Sequence, residues 1–177
     1  VFYLGTVEPR KGIDVLLSAF TQLAGEHPTA QLWLAGQAGW GLSEFEAQLS
    51  AHPAAQRIRR LGFVDDDVLP ALLRQARVVA YPSRGEGFGL PVLEALACGA
   101  MVVTSARTVM AEVASGAATL VHIGDVQELT SALDELLSVS DRYRSSRALR
   151  ARTRAQEFTW EATMVKHLEA YELALGR

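Results

Sequence analysis

Two acidic residues, Glu86 and Glu94, stand with seven residues between them in the stretch Gly85-Glu86-Gly87-Phe88-Gly89-Leu90-Pro91-Val92-Leu93-Glu94-Ala95. A carboxylate accepts paired hydroxyl donors well. Gly87 and Gly89 allow backbone to approach a ligand closely. Pro91 suits the first turn of a helix, which places the amides of Phe88, Gly89 and Leu90 at a helix N-terminus, where free N–H groups and the helix dipole bind anions. Glu86 lies before that helix and Glu94 about one turn into it. Two carboxylates flanking an amide cradle match a molecule whose hydroxylated rings flank a diphosphate. A nucleoside diphosphate sugar is such a molecule.

The other unusual stretch is Gly5-Thr6-Val7-Glu8-Pro9-Arg10-Lys11-Gly12. Here Arg10 and Lys11 are expected to open a helix. Cations in a first turn are mildly unfavourable there, so the placement points to an anion. The stretch lacks the glycine spacing and the Ser/Thr after lysine of a Walker A loop, and the chain has no G-x-G-x-x-G fingerprint, which argues against a dehydrogenase half.

The elements that must position these loops follow from apolar spacing. Strands are read at Val1–Gly5, Gln31–Gly36, Arg57–Gly62, Val78–Tyr81, Met101–Thr104 and Thr119–Ile123. Between them run helices marked by Ile13, Leu16, Phe20 and Leu23, by Val68, Leu69 and Leu72, and by Val92, Leu93 and Leu96. Ser43 with Glu46 reads as a capping box, and Asp125 with Glu128 as a helix start. Two further helices are expected, from Asp141 to about Glu157 and from Thr159 onward. Alternating strands and helices imply right-handed crossovers and a parallel sheet covered on both faces. Six strands suggest an α/β, doubly wound, Rossmann-like sheet of order 3-2-1-4-5-6. Its ligand site would lie where the winding reverses, between strands 1 and 4. The two unusual loops follow those two strands.

Composition narrows the class. The 177 residues fit one domain, and 49% hydrophobic with 21% charged residues is ordinary for a globular domain. A formal net charge of −3 gives no global attraction to nucleic acid or anionic lipid. One cysteine, Cys98, permits no internal disulfide and fits a reducing compartment such as the cytoplasm. No signal peptide and no bilayer-spanning apolar run is read in the sequence. The chain starts directly on a core strand, so a fragment cut near a domain boundary is expected.

Several residues have ordinary explanations. Asp65-Asp66-Asp67 superficially matches a D-x-D metal motif, but its place before a helix makes it a cap. His27, His52, His122 and His167 are scattered without metal-ligand spacing. Cys98 reads as a small buried hydrophobe. Arg142, Arg144, Arg147, Arg150, Arg152 and Arg154 form a basic run, read first as a solvated helix face. Trp160 is expected to pack against the sheet.

The stretch from Pro82-Ser83 through Glu86-Gly87-Phe88-Gly89-Leu90-Pro91 to Glu94-Ala95 resembles the E-x7-E signature of glycosyltransferase family 4. The Gly5–Gly12 loop, Leu61-Gly62-Phe63-Val64, Glu112-Val113 and Phe158-Thr159-Trp160 are similar to that family too, so the resemblance covers the whole chain. It implies the C-terminal, donor-binding half of a GT-B enzyme with an absent N-terminal acceptor domain. The implied reaction is metal-independent hexosyl transfer, with retention, from a UDP- or GDP-linked sugar. The donor leans to GDP-mannose, and the acceptor is a glycan or a lipid-linked one. By resemblance Lys11 contacts the diphosphate, Glu86 a sugar hydroxyl and Glu94 the ribose, while backbone from Gly87 to Leu90 meets sugar and phosphates. Thr6 stands where many members carry arginine, leaving Arg10 to supply that charge. The final helix would cross toward the missing domain. Family members acting on lipid-linked acceptors make the basic run a candidate contact with the inner face of a membrane. A non-catalytic nucleotide-sugar module and an epimerase of similar fold are the alternatives.

Overall fold

In the computed structural model, which describes residues 1–176, all six strands are parallel and lie in the order β3-β2-β1-β4-β5-β6. The strands are β1 (Phe2–Leu4), β2 (Leu32–Ala35), β3 (Ile58–Gly62), β4 (Val79–Tyr81), β5 (Val102–Ser105) and β6 (Thr119–Val121). Five are shorter than the apolar run that signals them, and β5 has the expected length but is shifted by one residue. β4 and β5 are built wholly from buried residues, and β1 from buried Phe2 and Tyr3 with a half-buried Leu4, as a sheet covered on both faces requires. β3 is an edge strand, and its exposed Arg59 and Arg60 discourage pairing with another chain.

The helices are α1 (Ile13–Glu26), α2 (Leu42–Ala51), α3 (Leu69–Gln75), α4 (Leu90–Ala97), α5 (Val109–Ala114), α6 (Val126–Ser138), α7 (Asp141–Ala155) and α8 (Trp160–Ala174). α1 packs with α2 and α6 on one face, and α4 with α3, α5 and α7 on the other. Leu16, Phe20 and Leu23 of α1 and Leu129 and Leu133 of α6 are fully buried. Each contributes roughly 1.5–3 kcal/mol by leaving water. That exceeds the ~0.7 kcal/mol per residue separating ordinary helix formers, so packing rather than propensity fixes these helices.

Some local expectations hold and others do not. Asp125 caps α6 by accepting the Glu128 amide at 2.9 Å, and Thr159 caps α8 by accepting the Ala162 amide at 3.1 Å. The Ser43–Glu46 capping box does not form. Gly41, at φ 73°, caps α2 two residues earlier, Ser43 turns to Glu44, and Glu46 pairs with Arg60. The Asp65–Asp67 side chains do not cap α3 either. Its cap residue is Val68, and only the Asp65 carbonyl accepts from the Val68 and Leu69 amides. Cys98 closes α4 and is partly buried rather than enclosed. Trp160 does not pack on the sheet. It is 86% exposed, and no side chain of α8 is buried.

Half of the basic run on α7, Arg144, Arg147 and Arg154, donates to backbone oxygens. Arg144 donates to the carbonyls of Ala76 and Arg77, just past the end of α3. Arg147 reaches the Ala117 carbonyl, and Arg154 those of Glu112 and Val113 in the last turn of α5. The Arg152 and Arg150 guanidiniums lie over Gly99 and Gly116, beyond the ends of α4 and α5. Helix C-termini present unpaired carbonyls and the negative dipole end, so cations are favoured there. Among the described residues, no helix is long and apolar enough to cross a membrane. Arg154→Met, which keeps the apolar stem but removes two hydrogen bonds to carbonyls, should cost about 1.5–3 kcal/mol in chemical denaturation. Arg142→Met, at a position with no such partner, should change stability by less than about 0.5 kcal/mol.

Candidate functional site

The winding reverses between β1 and β4, whose hydrogen-bonded register is confined to Phe2↔Val79. Beyond that pair the ladder stops and each strand delivers one of the two unusual loops. The first loop does not open α1 directly. Pro9–Lys11 forms a separate 3-10 turn, and α1 begins at Ile13 after Gly12 at φ 70°. Arg10 and Lys11 are therefore outside the first turn of α1.

The two loops are joined through backbone. A methyl group on Gly12 would lie 2.1 Å from the Pro82 carbonyl oxygen, so only glycine permits this approach. The Arg84 amide donates to the Arg10 carbonyl at 2.8 Å, and the Arg10 guanidinium donates to the Gly85 carbonyl at 2.6 Å. Arg84 grips Asp14 of α1 through two nitrogens, at 2.9 and 2.7 Å, and also reaches the Pro9 carbonyl. Bidentate pairs of this type fix orientation as well as distance.

Glu86 occupies the centre. Its Oε1 accepts from Lys11 Nζ at 2.8 Å, from the Tyr81 hydroxyl at 2.9 Å and from the Ser83 hydroxyl at 2.7 Å. Its Oε2 faces Arg10 at 3.0 Å, and Arg10 also pairs with Glu8 at 2.6 Å. Burial alone would raise the Glu86 carboxyl, but hydrogen bonds from Lys11, Ser83, Arg10 and Tyr81 outweigh it and hold the carboxyl down at about 2. Lys11 is buried, donates a second bond to the Tyr81 oxygen at 2.8 Å, and stands 5.5 Å over the Tyr81 ring. Burial, followed by the Glu86 charge, pushes the Tyr81 phenol far above its ordinary range. Tyr81 in turn stacks on Tyr3, whose hydroxyl holds the Thr6 carbonyl at 3.0 Å.

Beside this centre the chain turns into α4. Gly89 is its N-cap at φ 95°, with Met110 of α5 packed beneath it, and Leu90 and Pro91 open the helix. Among the described residues, the N–H groups of Gly87, Phe88, Gly89 and Leu90 have no protein acceptor. Phe88 and Leu90 are exposed, and Phe88 meets Phe158 edge-on with ring centres 5.8 Å apart. Glu94, the fifth residue of α4, is exposed and has no hydrogen-bond or ion-pair partner among the described residues. Partial burial and the neighbouring Asp66 charge raise its carboxyl.

The structure thus brings Gly5, Thr6, Arg10, Lys11, Glu86 and the Gly87–Leu90 amides to one end of the sheet. Tyr81, Ser83, Arg84 and Glu8 belong to the same network and were not singled out from sequence. Their signal was position: polar groups at the carboxyl end of a buried strand beside the switch point. Among the described residues no three His, Cys, Asp or Glu side chains gather as a metal site. A cavity of about 530 Å³ lies at the opposite end of the strands, lined by residues including Phe2, His27, Trp33, Leu72 and Arg77. It contains none of the paired charges described above, so size alone does not mark the chemistry.

Residues 1–156 match the family model described as glycosyl transferases group 1. The chain is 37% identical over 172 residues to O-antigen chain mannosyltransferase B of Escherichia coli, covering 97% of this chain and 45% of that protein. It is 32% identical over 182 residues to the phosphatidyl-myo-inositol mannosyltransferase of Mycolicibacterium smegmatis, covering 99% and 45%. The chain thus spans about half the length of these relatives. Among solved structures it resembles sucrose-phosphate synthase from Thermosynechococcus elongatus (TM-score 0.84, 27% identity, 99% of this chain and 45% of that one). It also resembles Anabaena Alr3699/HepE in complex with UDP and glucose (TM-score 0.80, 25% identity, 98% and 47%).

The network around Glu86 has a consequence for acid stability. A carboxyl held below its ordinary value of 4.5 stabilises the fold fully above that pH, and the contribution fades as pH falls toward 2. Glu86→Gln lacks the titrating group. The stability difference between wild type and Glu86→Gln, followed by chemical denaturation, should shrink as pH is lowered through that window. A constant difference would contradict the ionised, multiply bonded Glu86.

Proposed function

The chain belongs to the glycosyl transferases group 1 family, and on that premise we propose that it is the donor-binding half of a hexosyltransferase using a nucleoside diphosphate sugar. The observation that carries the reading is the meeting of the Arg10–Lys11 turn with the Glu86–Leu90 turn at the β1/β4 switch point. One turn supplies two cations, and the other supplies unpaired amides at a helix N-terminus. Together they suit a diphosphate. Lys11 has three N–H donors and uses two on protein oxygens, leaving one for a phosphate oxygen. Arg10 supplies the second cation, in place of an arginine at Thr6. Glu86 receives a sugar hydroxyl, and the unpaired Glu94 receives the ribose hydroxyls.

The leaving diphosphate develops charge as the glycosidic bond breaks. Fixed donors stabilise that charge without a metal ion. In this reading the acceptor attacks from the face that the phosphate leaves, which gives retention, and the departing phosphate helps to take its proton. The mannosyltransferase relatives favour GDP-mannose as the donor, with a glycan or lipid-linked acceptor. The acceptor side belongs to a second domain, a reading supported by the chain's 45% share of its relatives' length. Trp160, Met164, Leu168 and Tyr171 recur at helical spacing on α8 and are all exposed. That second domain would cover them.

Calorimetric titration of the protein with GDP, UDP and ADP tests the donor site. One nucleotide, GDP on this reading, should bind, and Lys11→Ala should weaken it roughly 10- to 100-fold, the worth of a hydrogen bond to a charged group. Glu94→Ala should weaken the same nucleotide. Absence of binding by all three at millimolar concentration would overturn the assignment. If α8 needs a covering domain, the chain alone should self-associate, and light scattering at high concentration should exceed the monomer mass. A clean monomer would count against that role.

A further inference from the structure

Among the described residues, the Tyr81 hydroxyl is the one neutral group hydrogen-bonded to both Lys11 and Glu86. It accepts from Lys11 Nζ at 2.8 Å and donates to Glu86 Oε1 at 2.9 Å. Lys11 and Glu86 also meet each other directly at 2.8 Å, so the three groups close a triangle of hydrogen bonds. A phenol has one proton to give, and both of its roles are fixed here. The ring is anchored: Tyr81 is buried, stacks on Tyr3, and its carbonyl accepts from Thr104 Oγ1 at 2.9 Å. A lysine on a flexible four-carbon stem is a mobile point charge. An acceptor on a rigid strand removes much of that freedom.

We propose that Tyr81 is a positioning residue for the donor site, its hydroxyl orienting the Lys11 ammonium toward the diphosphate and holding Glu86 beside it for the sugar. The inference rests on the donor-site reading above. When a phosphate oxygen draws on Lys11 and a sugar hydroxyl on Glu86, the direct Lys11–Glu86 bond weakens. The Tyr81 oxygen then remains as the fixed link between them. Ser83 cannot fill that place, because its hydroxyl reaches Glu86 and makes no bond to Lys11.

A double-mutant cycle separates positioning from a general structural role. Tyr81→Phe removes only the hydroxyl and keeps the stacked ring. GDP and UDP binding are measured by calorimetry for wild type, Tyr81→Phe, Lys11→Met and the double variant, with thermal melts as a check on folding. Tyr81→Phe should weaken the nucleotide about tenfold in wild type and less than about twofold once Lys11 is replaced. Equal losses in both backgrounds, or no loss in either, would overturn the role of Tyr81 while leaving the donor site intact. If Lys11→Met has no effect, the donor-site reading and the inference fall together. A ligand-free measurement stands beside the cycle: the Glu86 side-chain carboxyl resonance should titrate at higher pH in Tyr81→Phe than in wild type. An unchanged midpoint would overturn the Tyr81–Glu86 part of the proposal.

Discussion

A carboxylate that is largely withdrawn from water must be neutralised and hydrogen-bonded, or it will take up a proton. Glu86 meets that demand with donors from separate parts of the chain: Lys11 and Arg10 from the turn after β1, Tyr81 from β4, and Ser83 from its own loop. Much of the local architecture serves to bring them together. Gly12 lets the first loop lie against the Pro82 carbonyl, and Arg84 fastens the second loop to Asp14. An ion pair removed from water can cost as much in desolvation as it returns in attraction. The direct Lys11–Glu86 contact therefore fixes the position of the two side chains, while the full set of donors around Glu86 is what keeps it ionised.

The arginines of α7 follow a related rule at the other side of the molecule. Helix α7 packs along α4, and its Arg144 and Arg154 reach carbonyls just past the end of α3 and in the last turn of α5. A planar guanidinium with five N–H groups can serve several carbonyls at once, which an ammonium cannot do in the same geometry. This gives the excess of arginine over lysine in that segment a structural use. It also leaves fewer free cations on α7 than the run of basic residues suggests.

The sequence disclosed the layers and the place of the two loops better than it disclosed the contacts. Six strands, their order and the two loops at the switch point follow from apolar spacing and from the handedness of crossovers. Capping was less legible. Asp125 and Thr159 cap as their positions suggest, but Ser43 and the Asp65–Asp67 run do not. In both failures a neighbouring backbone conformation starts the helix instead: Gly41 in the left-handed region, and Val68 after a turn closed by the Asp65 carbonyl. Such choices depend on how the loop enters the helix, which local pattern does not record. Trp160 was misplaced for a different reason. An aromatic residue at helical spacing signals an apolar face, yet nothing in the pattern says whether the covering surface lies within these residues.

By itself the sequence determined the parallel, doubly wound sheet and the two glycine-containing turns beside its switch point. It also determined the residue types, cations and carboxylates, that a diphosphate sugar would need. Those features are local or periodic, so they survive without coordinates. Only the tertiary structure decided that Lys11, Glu86, Tyr81 and Ser83 form one hydrogen-bonded group, that Arg10 and Glu86 face each other, and that Glu94 has no partner among the described residues. The reason is physical. Lys11 and Tyr81 are 70 positions apart. Their meeting depends on two strands becoming neighbours in the sheet, a long-range pairing that no local signal encodes.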